Sequence, residues 1–310
     1  MRVLALPLAL TLAACSDPTP ATVPTRDAAV DRPVAPVDAP ATDAAAPDDA
    51  GDPCVRRPAD RAATSVCVRH VEGRLTDLDG APLRARPITV CGPACFLTTT
   101  AADGTFRVDI GDWIDVAIYS VQGHGRPEYA SVYVSLPAPG SDGVARLPES
   151  LALPRYAAVG PALPVGAAAA SITAGDVTLT IAADTRLELD LEDVDLGDLG
   201  RLLRVAPVPV DRAPAALIAA APVALYALAP FALQASSPIA VTLANRARLP
   251  ADSAVEFITL GVEPYTPPVT AGLAVLAAVG RVSADGATVT TNPGEGLRTL
   301  SWIGYRPRRP

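Results

Sequence analysis

From Val66 onward, apolar and polar residues alternate in short runs separated by turn pairs. Thr105-Phe106-Arg107-Val108-Asp109-Ile110 places Phe106, Val108 and Ile110 on one face, the period-two signature of a half-buried strand. Ile114, Val116 and Ile118 repeat it, as do Val132, Val134 and Leu136. Asp79-Gly80 and Asp103-Gly104 fall between runs and suit tight turns. After Leu153-Pro154-Arg155-Tyr156 the pattern resumes: Val177, Leu179 and Ile181, then Leu187, Leu189 and Leu191, then Ile239, Val241 and Leu243. Val282-Ser283-Ala284-Asp285-Gly286-Ala287-Thr288-Val289 reads as a hairpin. The Ala-rich run 213–229 is ambiguous, and Pro222 argues against one continuous helix. The expected fold class is all-β: two tandem β-sandwich domains, over 54–155 and 156–310.

The chain ahead of these runs has another character. Behind Arg2, an apolar stretch from Val3 ends in Leu12-Ala13-Ala14-Cys15. It is too short to span a bilayer, which takes roughly 20 apolar residues, and it has the layout of an export signal. The ending resembles a bacterial lipobox, which implies a signal peptide over 1–14 and lipidation of Cys15. An ordinary signal peptide with an incidental cysteine is the plainer alternative. Ser16, not Asp, stands next to the cysteine. An Asp there resembles an inner-membrane retention signal, so the outer membrane is the expected site of anchoring. Residues 16–53 hold eight prolines and eight Asp, with no aromatic residue and no hydrophobic period. Such a segment cannot bury enough apolar area to offset its ordering entropy, and a disordered tether is expected. At about 3 Å per residue it could hold the β domains roughly 100 Å from a membrane.

Charge and cysteines sharpen this picture. The net charge of −8 is uneven: residues 16–53 carry −6, so residues 54–310 are close to neutral. No basic face stands out, and nucleic acid is not an expected partner. Of five cysteines, Cys15 is assigned to lipid, which leaves Cys54, Cys67, Cys91 and Cys95. An even number in an exported chain reads as two disulfides. Three pairings are open; the local one, Cys54–Cys67 with Cys91–Cys95, is favoured because Cys-Gly-Pro-Ala-Cys can turn back on itself. A four-cysteine zinc site is the rival, disfavoured by irregular spacing and an oxidising compartment.

The residues carry two resemblances. Val71-Glu72-Gly73-Arg74-Leu75-Thr76-Asp77, Asp79-Gly80-Ala81-Pro82-Leu83 and Thr98-Thr99-Thr100-Ala101-Ala102-Asp103-Gly104-Thr105-Phe106 resemble the carboxypeptidase regulatory-like family over most of 66–136. That resemblance implies a transthyretin-like sandwich and a structural or ligand-presenting role, not catalysis. The Cys91–Cys95 loop departs from the family pattern. Residues 170–305 are distantly similar to ZU-type sandwiches, through Tyr226-Ala227-Leu228-Ala229-Pro230-Phe231, Ser237-Pro238-Ile239-Ala240-Val241-Thr242-Leu243-Ala244-Asn245, Leu249-Pro250-Ala251-Asp252-Ser253, Gly280-Arg281-Val282-Ser283-Ala284-Asp285-Gly286 and Pro293-Gly294-Glu295-Gly296-Leu297. Some ZU-like relatives cleave themselves at a histidine, but this chain has no histidine after His124.

Candidate chemistry is sparse. His70 and His124 are the only histidines; His124 lies in the glycine-flanked loop Gln122-Gly123-His124-Gly125-Arg126, a place that often carries function. Trp113, Tyr119, Tyr129 and Tyr133 could stack on sugars if they shared a face. Six acids lie between Glu188 and Asp198, of which Asp190, Glu192, Asp193, Asp195 and Asp198 are candidate calcium ligands. Calcium takes six to eight oxygens. The spacing is not that of an EF-hand loop, and an acidic strand face running into a turn is the alternative. There is no Gly-x-Ser-x-Gly or His-Glu-x-x-His motif, and the chain has no lysine. The expectation is a non-enzymatic, lipid-anchored envelope protein. It would meet the bilayer through Cys15 and present its domains to a protein or polysaccharide for binding, adhesion or envelope assembly. A calcium- or carbohydrate-binding module is the alternative.

Overall fold

In the computed structural model, residues 52, 54–164, 166, 168–263 and 270–308 are described. The expected signal peptide, Cys15 and the tether up to residue 51 lie outside them. The fold is all-β, with two short helices among the described residues.

The first lobe holds β1 (Val66–Asp77), β2 (Pro87–Cys91), β3 (Cys95–Thr99), β4 (Thr105–Ile114), β5 (Ser120–Gly123), β6 (Val132–Ser135), β7 (Val144–Arg146) and β8 (Leu151–Leu153). One sheet runs β4-β1-β7, with β8 on β1 further along; the other runs β3-β2-β5-β6. The alternating positions of β4 face inward: Phe106, Val108 and Ile110 are buried, with Thr105, Arg107 and Asp109 exposed between them. Asp103-Gly104 turns the chain into β4: Gly104 adopts φ +79°, and Asp103 Oδ1 accepts the Thr105 N–H at 3.0 Å. Gly73 is needed for a different reason. It pairs with Phe106, and a Cβ there would stand 2.5 Å from the Phe106 ring. Cys54 is bonded to Cys67 and Cys91 to Cys95, the local pairing that the sequence favours.

The second lobe holds β9 (Ala158–Ala162), β10 (Ala170–Ala174), β11 (Val177–Ile181), β12 (Leu187–Glu188), α1 (Leu191–Val194), β13 (Leu202–Pro207), α2 (Ala215–Ala220), β14 (Ala224–Ala229), β15 (Gln234–Ala244), β16 (Ala254–Leu260), β17 (Ala274–Val282), β18 (Thr288–Thr291), β19 (Leu297–Thr299) and β20 (Trp302–Pro307). Its sheet is antiparallel in the order β10-β11-β15-β18-β17-β16-β20-β14-β13-β9, with β12 and β19 also on β15. The sheet curls until its ends meet, so that a Cβ on Gly160 of β9 would lie 2.6 Å from the Thr173 carbonyl of β10. Its two halves thereby face each other across one interior filled by Leu179, Ile181, Val205, Leu228, Val241 and Phe257. The Ser283–Thr288 hairpin turns at Gly286, φ +72°. The Ala-rich run divides as Pro222 requires: α2 ends at Ala221, which adopts φ +54°, and β14 begins two residues after the proline.

Two expectations change. Val116 and Ile118, expected to continue the strand alternation of Ile114, lie in a 3-10 turn capped by Asp115. The 187–191 alternation gives a strand of only two residues. Asp190 ends it by capping α1, its carboxylate accepting the Glu192 N–H at 3.0 Å, and Leu191 is left 80% exposed.

The described residues form one compact unit in which the lobes share a core. Tyr133 and Val121 of the first lobe belong to the same apolar cluster as Phe231, Leu260 and Trp302 of the second. Fully buried Trp302 donates its indole N–H to the Ser131 carbonyl at 2.8 Å, which fastens β20 to the first lobe.

Candidate functional site

The deepest charged cluster lies where the lobes meet. The loop after β5 supplies His124 and Arg126; the turn into α1 supplies Asp190, Glu192 and Asp193; β13 supplies Arg204. Asp193 is fully buried, and the side chains of Arg126 and Arg204 are 6% and 3% exposed. Arg126 is the hub. Its Nη1 donates to Asp190 Oδ1 at 2.9 Å and also to Glu192, while its Nη2 lies 3.2 Å from Asp193 Oδ2 and donates to the Phe231 carbonyl at 2.7 Å. Asp193 Oδ2 accepts the Phe231 N–H at 3.0 Å. Arg204 stacks on Tyr156 at 4.9 Å, donates to the Pro127 carbonyl, and lies 3.6 Å from Asp193 Oδ1. That last pair attracts as charges but is too long to be a hydrogen bond.

Burial sets the electrostatics. It raises the Asp193 carboxyl to about 6, since Arg126 and Arg204 only partly offset the loss of water. At Glu192 burial works in the same direction, yet the His124 ring and Arg126 overcome it and hold the carboxyl below its usual range. For Arg126, burial opposes the charge, and Asp193, Glu192 and Asp190 more than restore it. His124 Nδ1 lies 2.8 Å from Glu192 and Nε2 lies 3.0 Å from Thr89 Oγ1, so both ring nitrogens are engaged.

The five expected calcium ligands are not brought together. Asp190, Glu192 and Asp193 turn inward to arginines, whereas Asp195 and Asp198 stay exposed. Among the described residues, no group of three or more His, Cys, Asp or Glu side chains is placed to hold a metal ion. The aromatic residues do not form one face either. Tyr119 and Tyr133 are buried, Tyr133 against Phe231, whereas Trp113 sits on β4, paired with Cys67 of β1 in the β4-β1-β7 sheet. His70 is in β1 beside Glu72, 3.0 Å away.

Sequence reading missed Arg204 and Trp302. Arg204 left one signal: a lone charge inside Leu202-Leu203-Arg204-Val205-Ala206, an apolar run that must bury it and therefore must pair it.

A cavity of about 770 Å³ forms a groove between the lobes. Val132, Val134 and Leu151 form its first-lobe wall, and Ala213, Pro214 and Ala216 face them. A volume of this size at a lobe boundary suits a ligand site. A smaller cavity, about 480 Å³, is lined by Arg186 and Arg201. None of the clustered junction charges lines either cavity. No protein-family model matches the chain, and comparisons with curated proteins and with solved structures find no match.

Proposed function

We propose that this is a non-enzymatic, lipid-anchored protein of the cell envelope, held in the outer membrane through Cys15. It presents a two-lobed β body for binding, adhesion or envelope assembly. The structural observation that carries the binding part is the groove of about 770 Å³ between the lobes, whose lining mixes Val132, Val134 and Leu151 with Glu149, Asp211 and Arg212. The charges of the junction pair with one another across the lobes, away from the groove. Anchoring rests on Leu12-Ala13-Ala14-Cys15 and the Pro/Asp-rich run after it. The resemblance to regulatory-like and ZU-type sandwiches supports a presenting role.

The test is fractionation of cells expressing the protein or Cys15→Ser, with surface proteolysis of intact cells. The expected result is a membrane-bound native protein and a soluble variant, with cleavage from outside defining the face presented. If native protein and variant are both soluble, the anchored reading fails. The second reading keeps only the carbohydrate half of the expected calcium- or carbohydrate-binding module, since Asp190, Glu192 and Asp193 of the candidate calcium ligands are turned to arginines. The arginine-lined cavity favours it.

A further inference from the structure

The cavity of about 480 Å³ lies beside β12 and the 3-10 turn Gly197–Arg201. Asp184, Thr185, Arg186 and Arg201 are its polar lining. Arginines elsewhere in the body, among them Arg61, Arg69, Arg126 and Arg246, make ion pairs with carboxylates. Arg186 and Arg201 make none among the described residues, nor does Asp184. Arg201 commits a single nitrogen, Nη2, to the carbonyls of Leu163 and Pro164 at 3.4 and 3.3 Å. That fixes its direction and leaves Nε and Nη1 without a bond among the described residues. Arg186 is fixed through its backbone instead, by reciprocal bonds with Ser236 at 2.9 and 3.0 Å, so its side chain reaches the cavity from a rigid base. Thr185, 4% exposed, keeps its hydroxyl buried with no hydrogen-bond partner among the described residues. A buried hydroxyl left unpaired is costly.

We propose that this cavity binds an anionic carbohydrate, a sugar ring bearing a carboxylate or sulfate group. Guanidinium forks match such anions, so Arg186 and Arg201 take the charged group. The Asp184 carboxylate accepts from ring hydroxyls. Two cations against one carboxylate leave the site net positive in a chain of net charge −8. The inference deepens the carbohydrate branch of the second reading and does not depend on the anchor.

The experiment is calorimetric titration of the purified full chain with four probes: a galacturonate oligomer, a sulfated glucose oligomer, a neutral glucose oligomer of equal length, and inorganic sulfate. Binding of either acidic oligomer and not of the neutral one is expected, and the stronger of the two identifies the anionic group. Arg186→Gln, at an exposed side chain, should weaken that binding by about tenfold or more at unchanged Tm. Asp184→Asn should weaken it less. The proposal is overturned if neither acidic oligomer binds, if the neutral oligomer binds equally, if sulfate alone binds as tightly as the oligomers, or if Arg186→Gln binds like the native chain. Because the titration uses purified protein, its failure is separate from any failure of the fractionation.

Discussion

The interior of the second lobe and the junction between the lobes are both packed, but they are filled differently, and the junction reaches solvent at Glu192. The interior is Leu179, Ile181, Val205, Leu228, Val241 and Phe257, held by shape. The junction combines Phe231, Tyr133 and Trp302 with Arg126, Arg204, Asp193 and Glu192. Apolar burial is roughly proportional to area and has no preferred direction. An arginine fork bound to a carbonyl and three carboxylates does have one. The contrast teaches that apolar area drives the strands of each lobe together and also joins the lobes, while the arginine–carboxylate contacts add direction at their junction. A buried ion pair is often no more stabilising than apolar residues of equal volume, yet removing one partner alone is expensive.

That difference can be broken first at Asp193. Asp193→Ala strands Arg204 without a carboxylate and should cost about 3–5 kcal/mol in urea denaturation. Replacing Asp193, Arg126 and Arg204 together by apolar residues should cost less than the sum of the three single changes. An additive result would refute coupling within the cluster. Leu179→Ala, in the apolar interior, should cost about 3 kcal/mol through its cavity and leave the pH profile of stability unchanged.

The pH profile itself separates the regions. Asp193 titrates near 6 in the folded protein and near 3.8 when exposed, so the native state holds this proton more tightly. Its contribution is full below about 4 and is lost as pH rises through 6, by up to about 3 kcal/mol. Glu192, held below its usual range, acts oppositely and loses its contribution as pH falls below that range. Tm measured from pH 4 to 7 should show the Asp193 slope in the native chain, and Asp193→Asn should flatten it. The smallest effect belongs to a surface pair for contrast. Arg246 binds Asp176 with two bonds of 2.6 and 2.7 Å but is 69% exposed, and Arg246→Ala should cost no more than about 1 kcal/mol.

Much of the lobes' interior was legible in the chain. Period-two runs place Phe106, Val108 and Ile110 inside, and Asp-Gly pairs mark the turns at Gly104 and Gly286. The local disulfides agree with the short spacing of their cysteines. The junction was not legible, because its partners are far apart in sequence: Arg126 meets Glu192 66 residues on, and Trp302 meets Ser131 at a separation of 171. Nor does an acidic run reveal which carboxylate turns inward. Asp193 and Asp195 are alike in sequence, but the cap at Asp190 starts a helical turn that carries one into the protein and leaves the other in water.

The Cys54–Cys67 bond has a mechanical consequence. Tension applied to the chain upstream of Asp52 cannot unravel residues 55–66 before reaching the fold, because the disulfide short-circuits that loop. Asp52 also grips Arg69 through two bonds of 2.5 and 2.7 Å. The load passes directly into β1, a strand flanked by β4 on one side and by β7 and β8 along its length. A pull along that strand stretches many ladder bonds at once instead of opening them singly.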